Sequence, residues 1–323
     1  SHNVPLKVFV VDMDWHIVKN TGNESSGWTG YTFNRELIPD PPELIRQLHQ
    51  RGLKVTFNLH PADGVWPHEE MYPEFAKQMG IDAESKSQIK FDCEDPKFMN
   101  HYFELLHHPL EEMGVDFWWI DWQQGTGHLI DPLIVLNHAH FMDSGRNKDK
   151  RPFILSRWCG LGGQRYPIGF SGDTEIEWVS LQFQPYFTST ASNVGFGFWS
   201  HDIGGHMGGR ENGELYVRWL QYGALSPILR MHSTSNPFLQ RLPWQYDREI
   251  EYQAIKALQL HDQLTPFFYS LGFQYHKNGL MPVRPTYYIS PDDESSYSCP
   301  TQFFLGDDVV VSPFVTPKEK LTN

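Results

Sequence analysis

Residues 115–120, Val-Asp-Phe-Trp-Trp-Ile, form an apolar, β-branched and aromatic run that stops on Asp121. Such a run reads as a buried strand with a carboxylate at its carboxyl end. Similar short runs recur along the chain. The pattern predicts strands at 7–11, 53–59, 89–91, 115–120, 152–156, 168–171, 195–200 and 228–231. Helical spacing fills the gaps, at 43–50, 96–113, 131–144, 177–190, 214–222 and 248–264. Pro41-Pro42 opens the first helix and Gly52 closes it, the expected asymmetry of helix ends. Eight strands alternating with helices predict an α/β chain folded as a (β/α)8 TIM barrel over residues 1–290. A doubly wound sheet would want a Gly-rich phosphate turn after the first strand, and Asp12-Met13-Asp14-Trp15 is not one. Past about residue 290 the pattern changes to strand, Gly306-Asp307-Asp308 turn and strand. Residues 291–323 are therefore expected to begin a truncated C-terminal β domain. The first strand starts almost at Ser1, so the chain is expected to be a fragment of something longer.

The predicted strand ends carry Asp12, Asp92, Asp121, Arg157, Asp173, Asp202 and His232. In a parallel barrel the catalytic groups sit at the carboxyl ends of strands, so these residues should converge on one rim. A rim of carboxylates with one Arg and one His can accept and donate hydrogen bonds to several hydroxyls at once. Aromatic residues make up 15% of the 323 residues, 11 of them Trp. Trp15, Trp119, Trp122, Trp158 and Trp199 lie beside the strand ends, where flat rings could stack on a sugar. The net charge of −13 makes nucleic acid or an anionic membrane a poor partner. No apolar run reaches the roughly 18–20 residues of a membrane helix. The three cysteines, Cys93, Cys159 and Cys299, show no zinc or redox spacing and leave the compartment undetermined.

Glycoside hydrolysis needs two carboxylates in different protonation states. Asp121, aimed by a rigid strand, suits the nucleophile. Asp173 follows the permissive Gly172 and suits an acid facing the leaving group, with Arg157 orienting a carboxylate or hydroxyl. Each acid alone could equally cap a helix, and Asp116 and Asp131 are expected to cap or to sit in solvent. His107-His108 and His138-Ala139-His140 lack HExxH spacing and are expected on solvated helix faces. Gly195-Phe196-Gly197 lacks the third glycine of a dinucleotide loop and falls within a predicted strand. Neither a P-loop nor a GxSxG elbow is present.

Five segments resemble family 31 of the glycoside hydrolases, in order. They are Asp12-Met13-Asp14-Trp15 on the first strand, Trp119-Ile120-Asp121, Arg157 through Asp173, His201-Asp202-Ile203-Gly204-Gly205, and Arg230-Met231-His232-Ser233. The resemblance implies a retaining exo-α-glycosidase of the α-glucosidase and α-xylosidase kind. It implies Asp121 as nucleophile, Asp173 as acid/base, and Asp12, Arg157, Asp202 and His232 as ligands of the sugar hydroxyls. It implies no metal and no organic cofactor, and flanking β domains on both sides of the barrel. Two segments depart from the family pattern. Trp122-Gln123-Gln124-Gly125 stands where many α-glucosidases have Met-Asn-Glu, and His60-Pro61 where many have Asp-Pro. Both positions line the pocket in the family. The substrate therefore stays open between glucose, xylose and an N-acetylated sugar such as α-linked N-acetylgalactosamine, and transglycosylase or lyase chemistry stays open too. A silent sugar-binding barrel and a metal-dependent hydrolase are the alternatives from other classes.

Overall fold

The computed structural model describes residues 3–19, 25–121, 129–148, 150–166 and 168–320. The chain packs as two compact units, one of residues 6–166 and one of residues 1–5 with 167–323.

In the first unit the order is β1 (Val8–Val11), α1 (Pro41–Gln50), β2 (Lys54–Leu59), α2 (Tyr72–Met79), α3 (Pro96–Leu106), α4 (His108–Met113), β3 (Phe117–Ile120), α5 (Pro132–Ser144) and β4 (Leu155–Arg157). Local chemistry sets the helix ends. Asp40, Asp95 and Asp131 cap α1, α3 and α5 by accepting from Glu43 N, Lys97 N and Leu133 N. The four strands are parallel, with Val11 opposite Phe57, Leu59 opposite Ile120 and Ile120 opposite Ser156. Side chains alternate across a strand. Trp118 and Ile120 pack into the apolar clusters under the helices, so Trp119 and Asp121 share the other face. The same parity puts Thr56, Asn58 and His60 on one face of β2 and its extension.

The second unit runs β5 (Gly169–Phe170), α6 (Trp178–Thr190), β6 (Trp199–Ser200), β7 (Asp202–Ile203), α7 (Gly213–Ala224), β8 (Arg230–Met231), α8 (Arg248–Gln263), α9 (Thr265–Asn278), β9 (Val283–Pro285), β10 (Phe303–Leu305) and β11 (Val309–Val311). β5 pairs with β6 and β7 with β8, both parallel. β9, β10 and β11 form an antiparallel sheet, whose β10–β11 hairpin turns at Gly306 with φ +67°. This is the expected strand, turn and strand, with a third strand added from residues 283–285. The unit's core is Tyr216, Trp219, Leu220 and Tyr222 of α7 against Ala254, Leu258, Phe268 and Leu271, continuing to Phe303 and Leu305.

Several expectations are corrected. Residues 89–91 form no strand. Ile89 makes only an isolated antiparallel bridge to Val65, because the segment is part of the long excursion after β2. Asp92 is therefore not a strand-end acid, and its carboxylate accepts from Glu94 N and Asp95 N ahead of α3. The segment at 195–200 is a turn, with Gly195 at φ +87°, followed by the two-residue β6, so the Gly-Phe-Gly run lies outside the strand. The 96–113 helix breaks at His107, ahead of Pro109.

Two of the paired histidines, His107 and His140, differ from expectation, whereas His138 is exposed as expected. His107 is fully buried, 4.2 Å from the Tyr102 ring, 4.9 Å from Trp118 and 5.0 Å from the equally buried His140. Burial pushes the His107 imidazole down to about 3, against a partial lift from its bond to Tyr102 O, and pushes His140 well down too. A histidine neutral in the fold but basic when unfolded contributes full stability above its unfolded value near 6.5. That stability is lost as pH falls from there towards 3. Stability should therefore drop by up to about 1.4 kcal/mol per pH unit for each such histidine below about pH 6. Denaturant melts of the wild type and His107→Phe between pH 7 and 4 check this: the variant's curve should be flatter, and identical slopes would refute the assignment.

Candidate active site

The parallel register brings three residues of the first unit together. Because Leu59 faces Ile120 and Ile120 faces Ser156, the next residue on each strand, His60, Asp121 and Arg157, stand side by side at one edge. Asp121 is 5% exposed and its backbone N–H bonds Leu59 O at 2.9 Å. Arg157 Nε donates to Asp121 Oδ1 at 2.6 Å, and His60 Nε2 stands 3.3 Å from Oδ2. Burial alone would raise the Asp121 carboxyl. The hydrogen bonds and charges of His60 and Arg157 outweigh it and hold the group at about 2. Asp121 is thus an ionised, buried carboxylate held at both oxygens.

A loop packs against His60. Thr29 Oγ1 donates to His60 O and accepts from Asp63 N at 3.0 Å. The Trp28 ring meets His60 edge-on at 5.2 Å and is 47% exposed. Buried Glu69 anchors the loop by accepting from Tyr31 N at 3.1 Å and Thr32 Oγ1 at 2.7 Å. Trp28 was not among the expected aromatics, since nothing in its Gly- and Ser-rich surroundings marks it.

The other expected residues of this unit are distributed unevenly. Asp12 is exposed at the end of β1, and its carboxylate accepts from Met13 N at 2.7 Å. Trp158 is 53% exposed and offers an open indole face. Trp119 is buried on the same face of the sheet as Asp121. Trp15 is a core residue: it is buried against Phe33 and Phe57 and its Nε1 donates to Asn58 O at 2.8 Å. Trp122 and the divergent Gln123-Gln124-Gly125 lie outside the described residues.

The second unit carries the remaining expected residues. Gly172 takes φ +82°, and Asp173 follows it exposed. Asp202 pairs directly with Arg230 in the β7–β8 register. Arg230 is buried, donates from Nη2 to Asp202 Oδ1 at 2.5 Å and from Nε to Ser200 Oγ at 3.1 Å, and lies 5.2 Å over the Phe170 ring. His232 follows β8, and its ring stacks on His206 at 4.5 Å with 20° between the planes. His206 Nδ1 stands 3.4 Å from Asp202 Oδ2. Gly204 and Gly205 both have positive φ. A Cβ on Gly205 would meet Ile176 Cα at 2.7 Å, so the turn after Asp202 admits nothing larger there. Buried Arg241 fixes the same turn from Nη1 to Gly204 O at 3.2 Å. Trp199 is 1% exposed and packs on Phe187, Phe196 and Gly169, so it is a core residue and presents no face to a sugar. Arg230 and His206 were missed as site residues, although Arg230 lies within a recognised motif and His206 directly follows one. No metal was expected, yet among the described residues Asp202, His206 and His232 form one group able to hold an ion.

A family profile described as "Glycosyl hydrolases family 31 TIM-barrel domain" matches residues 1–271. The chain belongs to glycoside hydrolase family 31. It is similar to an α-xylosidase of Saccharolobus solfataricus, 26% identical over 98% of this chain and 45% of that protein. It is also similar to neutral α-glucosidase AB of Mus musculus, 35% identical over 97% of this chain and 36% of that protein. In fold it resembles a family 31 α-xylosidase from a soil metagenome solved with xylose, with a TM-score of 0.78 at 20% identity over 98% of this chain and 52% of that one. The chain thus spans about half or less of the length of these relatives. Parallel strands alternating with helices, and a separate antiparallel sheet, agree with the family's barrel domain.

Removing the guanidinium in Arg157→Leu should let burial dominate and raise the Asp121 carboxyl well above about 2. A carbon-13 carboxyl titration of the two proteins measures the shift. Its absence would show that Arg157 does not control the charge of Asp121.

Proposed function

We propose that this chain is the catalytic part of a retaining, exo-acting, α-glucosidase-like α-glycoside hydrolase. The observation that carries the reading is Asp121, a buried carboxylate kept ionised by Arg157 and His60 at the carboxyl edge of a parallel sheet. In the first step an Asp121 oxygen attacks C1 of the sugar as the glycosidic oxygen leaves with a proton from Asp173. In the second, Asp173 takes a proton from water, the water oxygen attacks C1, and Asp121 is released as carboxylate. This requires the two carboxyls about 5–5.5 Å apart. Asp12, Arg157, Asp202 and His232 bind hydroxyls of the non-reducing-end sugar, and Trp158 stacks on a ring. Trp119 and His60 complete the wall behind the nucleophile. No organic cofactor takes part.

The strands close into a (β/α)8 barrel over residues 1–290, a C-terminal β domain begins at 291, and flanking β domains of the longer protein frame the pocket. The greater length of the relatives supports this. The replacement of the family's Asp by His60 gives the second reading, since a donor in place of an acceptor changes which substituent the pocket fits. An N-acetylated sugar such as α-linked N-acetylgalactosamine is that alternative, ahead of α-xyloside hydrolysis or transglycosylation.

Nitrophenyl α-glycosides of glucose, xylose, galactose and N-acetylgalactosamine identify the sugar. With the substrate found, Asp121→Ala should lose at least about 10⁴-fold in kcat with the fold retained, an estimate from the loss of a catalytic nucleophile. Azide should partly rescue it as a β-glycosyl azide. Asp173→Ala should lose most on poor leaving groups and least on activated aryl glycosides. Full turnover without Asp121, or equal losses for Asp173→Ala on both substrate kinds, would refute the respective role.

A further inference from the structure

We propose that Asp202, His206 and His232 form a binding site for a borderline divalent cation, zinc first among them, and that its occupation shuts the sugar pocket. All three residues belong to one unit. One donor atom from each lies within 4.8 Å of the others. The donor set is two imidazoles and a carboxylate, which suits zinc, and three protein ligands leave the fourth position open.

The distances favour a cation over a simple hydrogen bond. His206 Nδ1 and Asp202 Oδ2 stand 3.4 Å apart, beyond the usual N–H···O range of 2.7–3.2 Å. Ligands bound tetrahedrally at about 2.0–2.1 Å from zinc stand about 3.3 Å from one another. This pair is thus already at the spacing of a zinc edge. His206 stacks near-parallel on His232, and the third donor lies within 4.8 Å of the other two.

The ligands are also held from behind, as metal ligands usually are. Arg230 Nη2 binds the other Asp202 oxygen at 2.5 Å. His206 N donates to Thr174 O at 2.8 Å, and Thr234 N donates to His206 O at 3.1 Å. The backbone of the second histidine ligand is therefore tied to the loops that carry Asp173 and His232. Arg230 also opposes a nearby cation, so the ion should exchange rather than serve as a permanent structural metal.

Two of the three ligands are the sugar-binding residues of the proposed function, so only the inhibition rests on that reading. Cation binding stands apart from it and is tested separately. Zinc chloride is titrated calorimetrically into the chain, and cobalt(II) into a second sample for its visible ligand-field bands. The expected result is one zinc per chain and a four-coordinate cobalt spectrum. His206→Phe keeps a ring on His232 and removes one ligand, so it should weaken zinc more than about 100-fold, beyond the loss usual for an outer-shell change. In the wild type, zinc should protect His206 and His232 from carbethoxylation, read by mass spectrometry, a test that needs no variant. No zinc binding, equal binding by His206→Phe, or unprotected histidines under saturating zinc would overturn the site. If zinc binds at these residues without competing with a hydrolysed glycoside, the site stands and its overlap with the sugar pocket is overturned.

Discussion

The pairing of a buried carboxylate with an arginine on the neighbouring strand is the interaction on which the site depends. An isolated carboxylate cannot be taken out of water at the level of Asp121 without a large cost, and it would protonate instead. Arg157 and His60 make the ionised form the stable one. Breaking such a buried pair from one side typically costs about 3–5 kcal/mol. The arrangement is therefore fragile to single substitutions but stiff while intact.

The same device appears twice. Asp121 adjoins Arg157 through the β3–β4 register, and Asp202 adjoins Arg230 through the β7–β8 register. In both cases the acid and the arginine come from neighbouring parallel strands. Parallel pairing does this without long-range design, since strands in register bring equivalent positions to the same edge. Before Asp121 the buried Trp118, Trp119 and Ile120 anchor the strand, whereas Asp202 opens β7 behind the buried His201. At Asp121, fold and chemistry thus come from one pattern, an apolar run followed by a charge.

That pattern explains what could be read from the residues and what could not. Asp121 and Arg157 were legible because each ends an unambiguous run, and the hairpin around Gly306 was legible from its turn. The 89–91 segment misled because three apolar residues before an Asp look alike whether they pair in a sheet or bridge within a loop, as Ile89 does with Val65. His107 and His140 misled because their polarity hides a burial that depends on Tyr102 and Trp118. Trp15 and Trp199 have the composition of sugar platforms but the packing of core residues. Trp28 is the reverse, an exposed ring over His60 in a loop with no periodicity to announce it. Arg230 was quoted within a motif and still overlooked, because its role is visible only once β7 and β8 are paired.

Both carboxylates also have a histidine on the oxygen their arginine does not hold, His60 on Asp121 and His206 on Asp202. A histidine in that place differs from a carboxylate in kind. It can donate and it can ligate a metal. With imidazoles interposed, each carboxylate keeps a fixed partner and an adjustable one. Arginine sets the charge, and histidine gives the pocket its own donor pattern. In each pair the arginine and the histidine therefore sit on opposite oxygens of the same aspartate.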